Sequence, residues 1–574
     1  MAIDALDRVL DALDGGDAAL AHRLGTQALQ ATPGDARLWS ACGIAARLGG
    51  HPAEAERCWR RALALQPDAL ATHHLASLLR AQGRDGEALA CYQAAADDGS
   101  ADARCWVGLG VLCAARRRPA DAEAAYRRAL ALQPDDVAAL TNLGLVLEQQ
   151  RRLDEAEACQ RRALALAPDL ADLHNHLAGV LARRPDGRHE AEAEWHYREA
   201  LRLAPQDARH GSNLGALLYD LGRVQEAEQV LRAAVAQAPH LACAQINLGH
   251  LLLSVGRLPE GFDHAARSCA LLPPAAVVPG FPDPPPPGAA QPWTGQPLQG
   301  KRLLVWPEQG HGDQLQFCRY LRLVRELHRP AQITCASTAS LLGLMRSVAG
   351  ADRYIALQEA PAALATHDHW VPLQQLPLWC GTRLQTVPAA TPYLRPGPAD
   401  VARWAPRIPS APLKVGLVWR GNPRHDNDAE RSLPGLATLA PLWQVPGVAF
   451  VSLQKWAGEE EGRQPPAGQP LVHLGSAIED FSDTAAILAQ LDLLVSVDTA
   501  ACHLAGALGR PCWVLLPAYR VDWRWLRGRD DTPWYPRMRL FRQARRGDWA
   551  AVVEQVRQAL VLLRRQANGI ARAV

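Results

Sequence analysis

Two patterns of apolar and polar positions divide this chain of 574 residues. Over about the first 274 residues small apolar side chains return on a fixed beat: Gly43, Ala76, Gly110, Gly144, Ala178, Gly215 and Gly249. Twelve residues after most of them come Ala55, Ala88, Ala122, Ala156, Ala227 and Gly261, and seven further on Ala62, Ala95, Ala129, Ala163 and Ala234. Only where RRPDGR lengthens a turn by three residues does the beat slip, moving the pair to Ala193 and Ala200. Two helices cross closely only where side chains are small, so the pattern predicts stacked helix pairs. Prolines at 33, 67, 134, 168, 205, 239 and 273, mostly 34 residues apart or twice nearly that, end the second helix of each pair.

From residue 301 the period changes. Short apolar runs alternate with amphipathic stretches, the pattern of α/β units around parallel sheets. Strands are predicted at 301–306, 332–337, 414–419, 448–454, 493–498 and 512–517. Proline-rich stretches at 272–300 and 388–412 exclude helix and central strand and mark boundaries. The expected organisation is an all-α solenoid over 1–274, a linker over 275–300 and a first α/β lobe over 301–395. A short linker (396–411), a second lobe (412–545) and a terminal helix (546–574) that could pack on either lobe complete it.

Composition narrows the functional classes. A net charge of +2 gives no bulk field directed at nucleic acid or a membrane surface, and neither is expected as a partner. The 13 cysteines form no CxxC pair and no zinc-ligand spacing, so they read as buried small hydrophobes in a reducing compartment. The acidic, amphipathic start is unlike a secretory signal and no long apolar run is present, so the expected location is the cytoplasm. Only Lys301, Lys414 and Lys455 are lysine.

Candidate chemistry follows four predicted strands. In PEQGHGDQLQF, Gly310 and Gly312 allow a turn before a helix opening near Asp313, which a helix cap alone would also explain. WRGNPRHDNDAERSLP, with Arg420 and Arg431, is a donor-rich loop suited to an anion or to plain solvation. Lys455 stands at the end of VSLQK. Finally, LLVSVDTAACHLAGALGRP ends an apolar strand in Asp498 and Thr499 and turns into a small-residue helix bearing His503. Thr499 is expected to cap that helix, whose first amides could seat a phosphate. Asp498 would face the same cleft, and the helix dipole would keep His503 neutral. Trp523, Trp525, Trp534 and Tyr535 fit either a stacking surface or a core.

The helix pairs, with Leu-Gly at 109–110, 143–144, 214–215 and 248–249, resemble the tetratricopeptide repeat: seven clear units and a degenerate first one. The residue before each Leu-Gly or Leu-Ala falls on the concave side, where Asn142, His176, Asn213 and Asn247 could hold a protein or peptide backbone, or be solvated polar positions. The combination of GHGD, NPRHDNDAERS and SVDTAACHLAGALGRP resembles the heptosyltransferase-like glycosyltransferases of family 9, which have the GT-B fold of two Rossmann-like lobes. That resemblance implies an inverting, metal-independent transferase using a nucleotide sugar and no cofactor. It makes Asp313 the catalytic base and sets Arg431, Asp498, Thr499 and His503 around the donor; Lys455 is added as a charge for the leaving diphosphate. The rival expectation is a repeat scaffold with an inactive second half, and a third is a sugar-nucleotide epimerase or hydrolase.

Overall fold

A computed structural model of the protein describes residues 2–184, 187–271, 290–307, 310–425 and 427–571. Residues 185–186 of the RRPDGR turn and the linker's first part, through residue 289, lie outside the described residues. Contacts divide the chain into two compact units, Met1–Arg184 with Arg188–Pro205, and Pro185–Gly187 with Gln206–Val574.

The first unit holds six helix pairs: α1 (Ala2–Asp14) with α2 (Ala18–Ala31), α3 (Ala36–Leu48) with α4 (Pro52–Leu65), and α5 (Ala69–Ala81) with α6 (Asp85–Asp97). Then follow α7 (Ala103–Ala115) with α8 (Pro119–Leu132), α9 (Val137–Gln149) with α10 (Leu153–Leu166), and α11 (Ala171–Ala182) with α12 (Glu190–Leu203). The degenerate first unit is thus a full pair. Each beat residue does what its size predicts. Ala55, Ala88, Ala122, Ala156 and Ala193 are fully buried, and a Cβ on Gly110 would lie 2.5 Å from the Tyr126 ring of the partner helix. Proline stops α2, α4, α8 and α10 two residues past their last turn. Asp35, Asp68, Asp102 and Asp136 then restart the chain by accepting from amides of the next first turn at 2.8–3.1 Å.

The second unit begins with two further pairs, α13 (Ala208–Asp220) with α14 (Val224–Gln237) and α15 (Ala242–Ser254) with α16 (Leu258–Leu271). The helix pairs thus run to Leu271, close to the solenoid end expected at 274. Leu253, Leu258 and Phe262 of the last pair share one core with Trp523, Trp525 and Trp534, so the final repeat buries its apolar face in the α/β part.

Two all-parallel sheets follow. The first comprises β1 (Gln291–Pro292), β2 (Arg302–Trp306), β3 (Gln332–Ser337), β4 (Arg353–Ala356) and β5 (His369–Pro372), in the order β1-β5-β2-β3-β4. The second comprises β6 (Leu413–Val418), β7 (Val448–Ser452), β8 (Val472–His473), β9 (Leu493–Val497), β10 (Cys512–Leu516) and β11 (Met538–Arg542), in the order β11-β10-β9-β6-β7-β8. All six predicted strands exist, and the sequence reading missed five. Two of those are only two residues long, and three carry charged or histidine residues that break the apolar run.

Both proline-rich boundaries are partly structured. Gln291–Pro292 pairs with β5 at the sheet edge, where a missing N–H is tolerated. Pro398–Trp404 is a helix whose Trp404 indole donates to Asp483 at 2.9 Å. The last helix, Trp549–Ala571, packs on the second sheet through Val552, Val553 and Val556. Among the described residues, no helix is long and apolar enough to cross a membrane.

Candidate functional site

Numbered along the chain, the strands of the second sheet run 3-2-1-4-5-6, and the order reverses between β6 and β9. Ligands of doubly wound sheets sit outside the carboxyl ends of the strands at this reversal. The loop after β6 carries Arg431, and Asp498 follows β9 directly. The loop after β6 is pinned. Gln454, beyond β7, accepts from the Trp419 and Arg420 amides at 2.9 and 3.0 Å, while Ser432 accepts from the Gly421 amide at 2.9 Å. Arg431 is half-buried, 3.5 Å from Asp428.

The motif of the first sheet meets that of the second. The helix His311–Phe317 packs on the helix Ala500–Ala507 so closely that a Cβ on Gly312 would lie 2.9 Å from the His503 ring. Here glycine is required by approach rather than by turn geometry. His503 is buried, receives or donates a hydrogen bond at the Tyr535 hydroxyl (3.0 Å), stacks on Trp525 at 5.3 Å, and stands 4.0 Å from Asp498. Burial, with the Arg524 charge beside it, lowers its pKa to about 3. The ring is neutral, as the sequence reading expected, but loss of solvation is the main cause.

Asp313 forms an ion pair with Arg524, a residue that sequence reasoning missed. Arg524 is buried, lies over the Trp523 ring at 4.6 Å, and also binds Asp522 at 2.9 Å. Burial disfavours its charge, yet the two carboxylates raise its pKa above the ordinary arginine value. Burial lifts the Asp313 carboxyl despite the opposing pull of Arg524. Burial also lifts Asp498, to about 6, with the like charge of Asp522 adding to it and Arg431 opposing. For Asp522 burial acts upward as well, but the bonds and charge of Arg524 hold it below the usual range. The cluster therefore keeps one carboxylate firmly charged and another ready to take a proton near neutrality. The only sequence signal for Arg524 was its place in the tryptophan-rich WRW, whose rings are buried core.

Other expectations need correction. Thr499 occupies the N-cap position of the helix Ala500–Ala507, but its side chain caps nothing; its hydroxyl pairs with Ser496 at 3.0 Å. The ammonium of Lys455 donates to the Ile478 carbonyl rather than to a group of the cluster. Asn142 and His176 lie on first helices of pairs in the first unit, Asn213 and Asn247 on those of the second. Asn247 is engaged in packing, donating to the Ser212 hydroxyl at 3.0 Å. Asp498, Cys502 and His503 bring potential metal ligands within 4.8 Å of one another. The Cys502 thiol, however, donates to the Thr499 carbonyl at 2.8 Å, and burial pushes its pKa well up, which disfavours the thiolate a metal needs.

The tetratricopeptide repeat profile matches residues 43–103, 75–130, 108–171, 187–242 and 212–276. The N-terminal region is built of tetratricopeptide repeats, which indicate a protein-interaction scaffold. Protein FlbA of Caulobacter vibrioides is 30% identical over 293 residues, 47% of this chain and 48% of that protein. The chain thus spans about half the length of the curated relative it matches. Among solved structures, a tetratricopeptide repeat protein of Thermus thermophilus is 24% identical, covering 30% of this chain and 92% of that one at a TM-score of 0.28. YrrB, a repeat protein described as having an unusual peptide-binding site, is 21% identical, covering 32% and 92% at a TM-score of 0.25.

Proposed function

We propose that the chain is an inverting, metal-independent glycosyltransferase of the GT-B type that moves a sugar from a nucleotide donor to an acceptor held with the help of its repeats. One observation carries this reading: Asp313 from the first sheet's motif and Asp498, His503 and Arg431 from the second lie around one buried charge cluster at the strand-order reversal. Arg431 and the first turn of the helix Ala500–Ala507 would take the charge of the departing nucleoside diphosphate, and Asp498 the donor sugar. Asp313 is the acceptor-side carboxylate. The repeats make a protein or peptide the natural acceptor class.

The scaffold reading, in which the second half is inactive, draws support from the Arg524–Asp313 pair, which engages the carboxylate expected to act as base. Measuring nucleoside diphosphate release from UDP-, GDP-, ADP- and dTDP-sugars separates the two. Release from one donor, lost in Asp498→Ala and Asp313→Ala with folding intact, is expected. No binding and no release across the panel would favour the scaffold.

A further inference from the structure

The expected base, Asp313, has its carboxylate engaged by Arg524, so another group is needed to accept the acceptor's proton. The last repeat offers one. Its helix α15 packs on the turn Trp523–Trp525, which Asp522 opens and which contains Arg524. At the end of α15 the Ser254 carbonyl accepts from the Arg527 amide at 3.0 Å, and Leu253 shares the core of Trp523 and Trp525. His250 precedes Leu253 by three residues and Ser254 by four, so it belongs to the helix face turned toward that contact. The neighbouring pair makes the same approach: the Arg527 guanidinium donates to the Tyr219 carbonyl at 2.6 Å and lies over its ring at 4.5 Å.

Resting on the glycosyl-transfer reading, we propose that His250 takes the proton of the acceptor hydroxyl, so that the final repeat is a wall of the catalytic cleft. The ring is exposed and forms no hydrogen bond with a described residue. It is nevertheless surrounded closely enough that burial lowers its pKa, with Asp522 pulling upward and Arg524 adding to the fall. The residue is exposed beside the turn on which α15 packs, where an acceptor can reach it. A neutral imidazole there can accept a proton, and the charged Asp522 beside it stabilises the imidazolium that results. In the step, the acceptor oxygen bonds to the anomeric carbon as its proton passes to a His250 ring nitrogen. The bond from the anomeric carbon to the phosphate oxygen breaks, and its electron pair leaves with the nucleoside diphosphate. Asp313 then fixes Arg524, and its loss also stops the reaction.

The test uses the full chain and the donor panel with water as acceptor. In His250→Ala, release should fall about a hundredfold or more while affinity for the free nucleoside diphosphate is unchanged. Added imidazole should restore release in His250→Ala but not in Asp313→Ala. His250→Gln, which keeps the ring's approximate volume without its basicity, should be as slow as His250→Ala. Unchanged release in both His250 variants, or slow release that imidazole does not restore, overturns the proposal and leaves the transferase reading standing. A wild-type chain that binds a nucleoside diphosphate yet releases none from its sugars overturns it too, since water reaches an open base. No binding at all removes both readings.

Discussion

Arginine–carboxylate pairs do opposite work in the repeats and in the α/β part. In the repeats an arginine stands just ahead of the second helix of a pair, at Arg84, Arg118, Arg152, Arg223 and Arg257. Each reaches the acid three residues on, and Arg84, Arg152 and Arg257 also reach a glutamate of the preceding pair, as Arg84 does Glu56 at 2.7 Å and Arg152 does Glu123 at 2.7 Å. These bonds are open to water and repeated, so each contributes little and none is indispensable. Arg524 makes the same kind of bonds to Asp313 and Asp522 among Phe317, Trp523 and other buried rings, where desolvation is costly. An ion cluster kept in such a place, at the ends of the strands, marks function more strongly than a series of surface pairs.

The comparison breaks first at Arg524. Arg524→Met should leave two partly buried carboxylates without their cation and cost up to about 3 kcal/mol, read by denaturant unfolding followed through the fluorescence of Trp523, Trp525 and Trp534. A loss no larger than that of a surface arginine would mean the cluster is better solvated than its burial indicates.

A smaller effect lies in titration. The folded Asp498 binds its proton more tightly than the unfolded chain, its pKa rising from 3.8 to about 6. The penalty for holding it charged is present above about pH 6 and relieved as pH falls toward 3.8. Glu87, held near 2 by bonds from Arg84, runs the other way: its contribution is present above 4.5 and fades as pH falls toward 2. Asp522→Asn removes the like charge beside Asp498 and should lower the Asp498 midpoint, measured by carbon NMR of labelled aspartate. A midpoint that stays put would separate the two carboxylates.

Least of all should change in Arg84→Ala. Thermal unfolding should move little, and less still in high salt, whereas a salt-insensitive loss would show the repeat pairs to be structural keystones.

Much of the architecture was legible in the chain because it repeats or alternates. The regular spacing of small residues and prolines fixed the helix pairs, since a crossing accepts only a small residue, and unbroken apolar runs fixed the six inner strands. The short or charged strands β1, β4, β5, β8 and β11 were not legible, since pairing partners rather than their own residues make them strands. At the site, GHGD and SVDT were visible as polar breaks in apolar surroundings. Their meeting through Gly312 and His503 was not, because the two lie far apart along the chain and local pattern carries no information on approach.

The sequence by itself therefore determined what local periodicity can encode: helix pairs, parallel strands and the polar loops that end them. Only the tertiary structure decided which charges are buried together. It enlisted Arg524 from a tryptophan-rich stretch, tied up Asp313, drew Lys455 and the Thr499 hydroxyl to other partners, and joined the last repeats to the α/β part. Burial is a property of neighbours brought from distant positions, and it is burial that turns an ordinary aspartate, arginine or histidine into a group with altered chemistry.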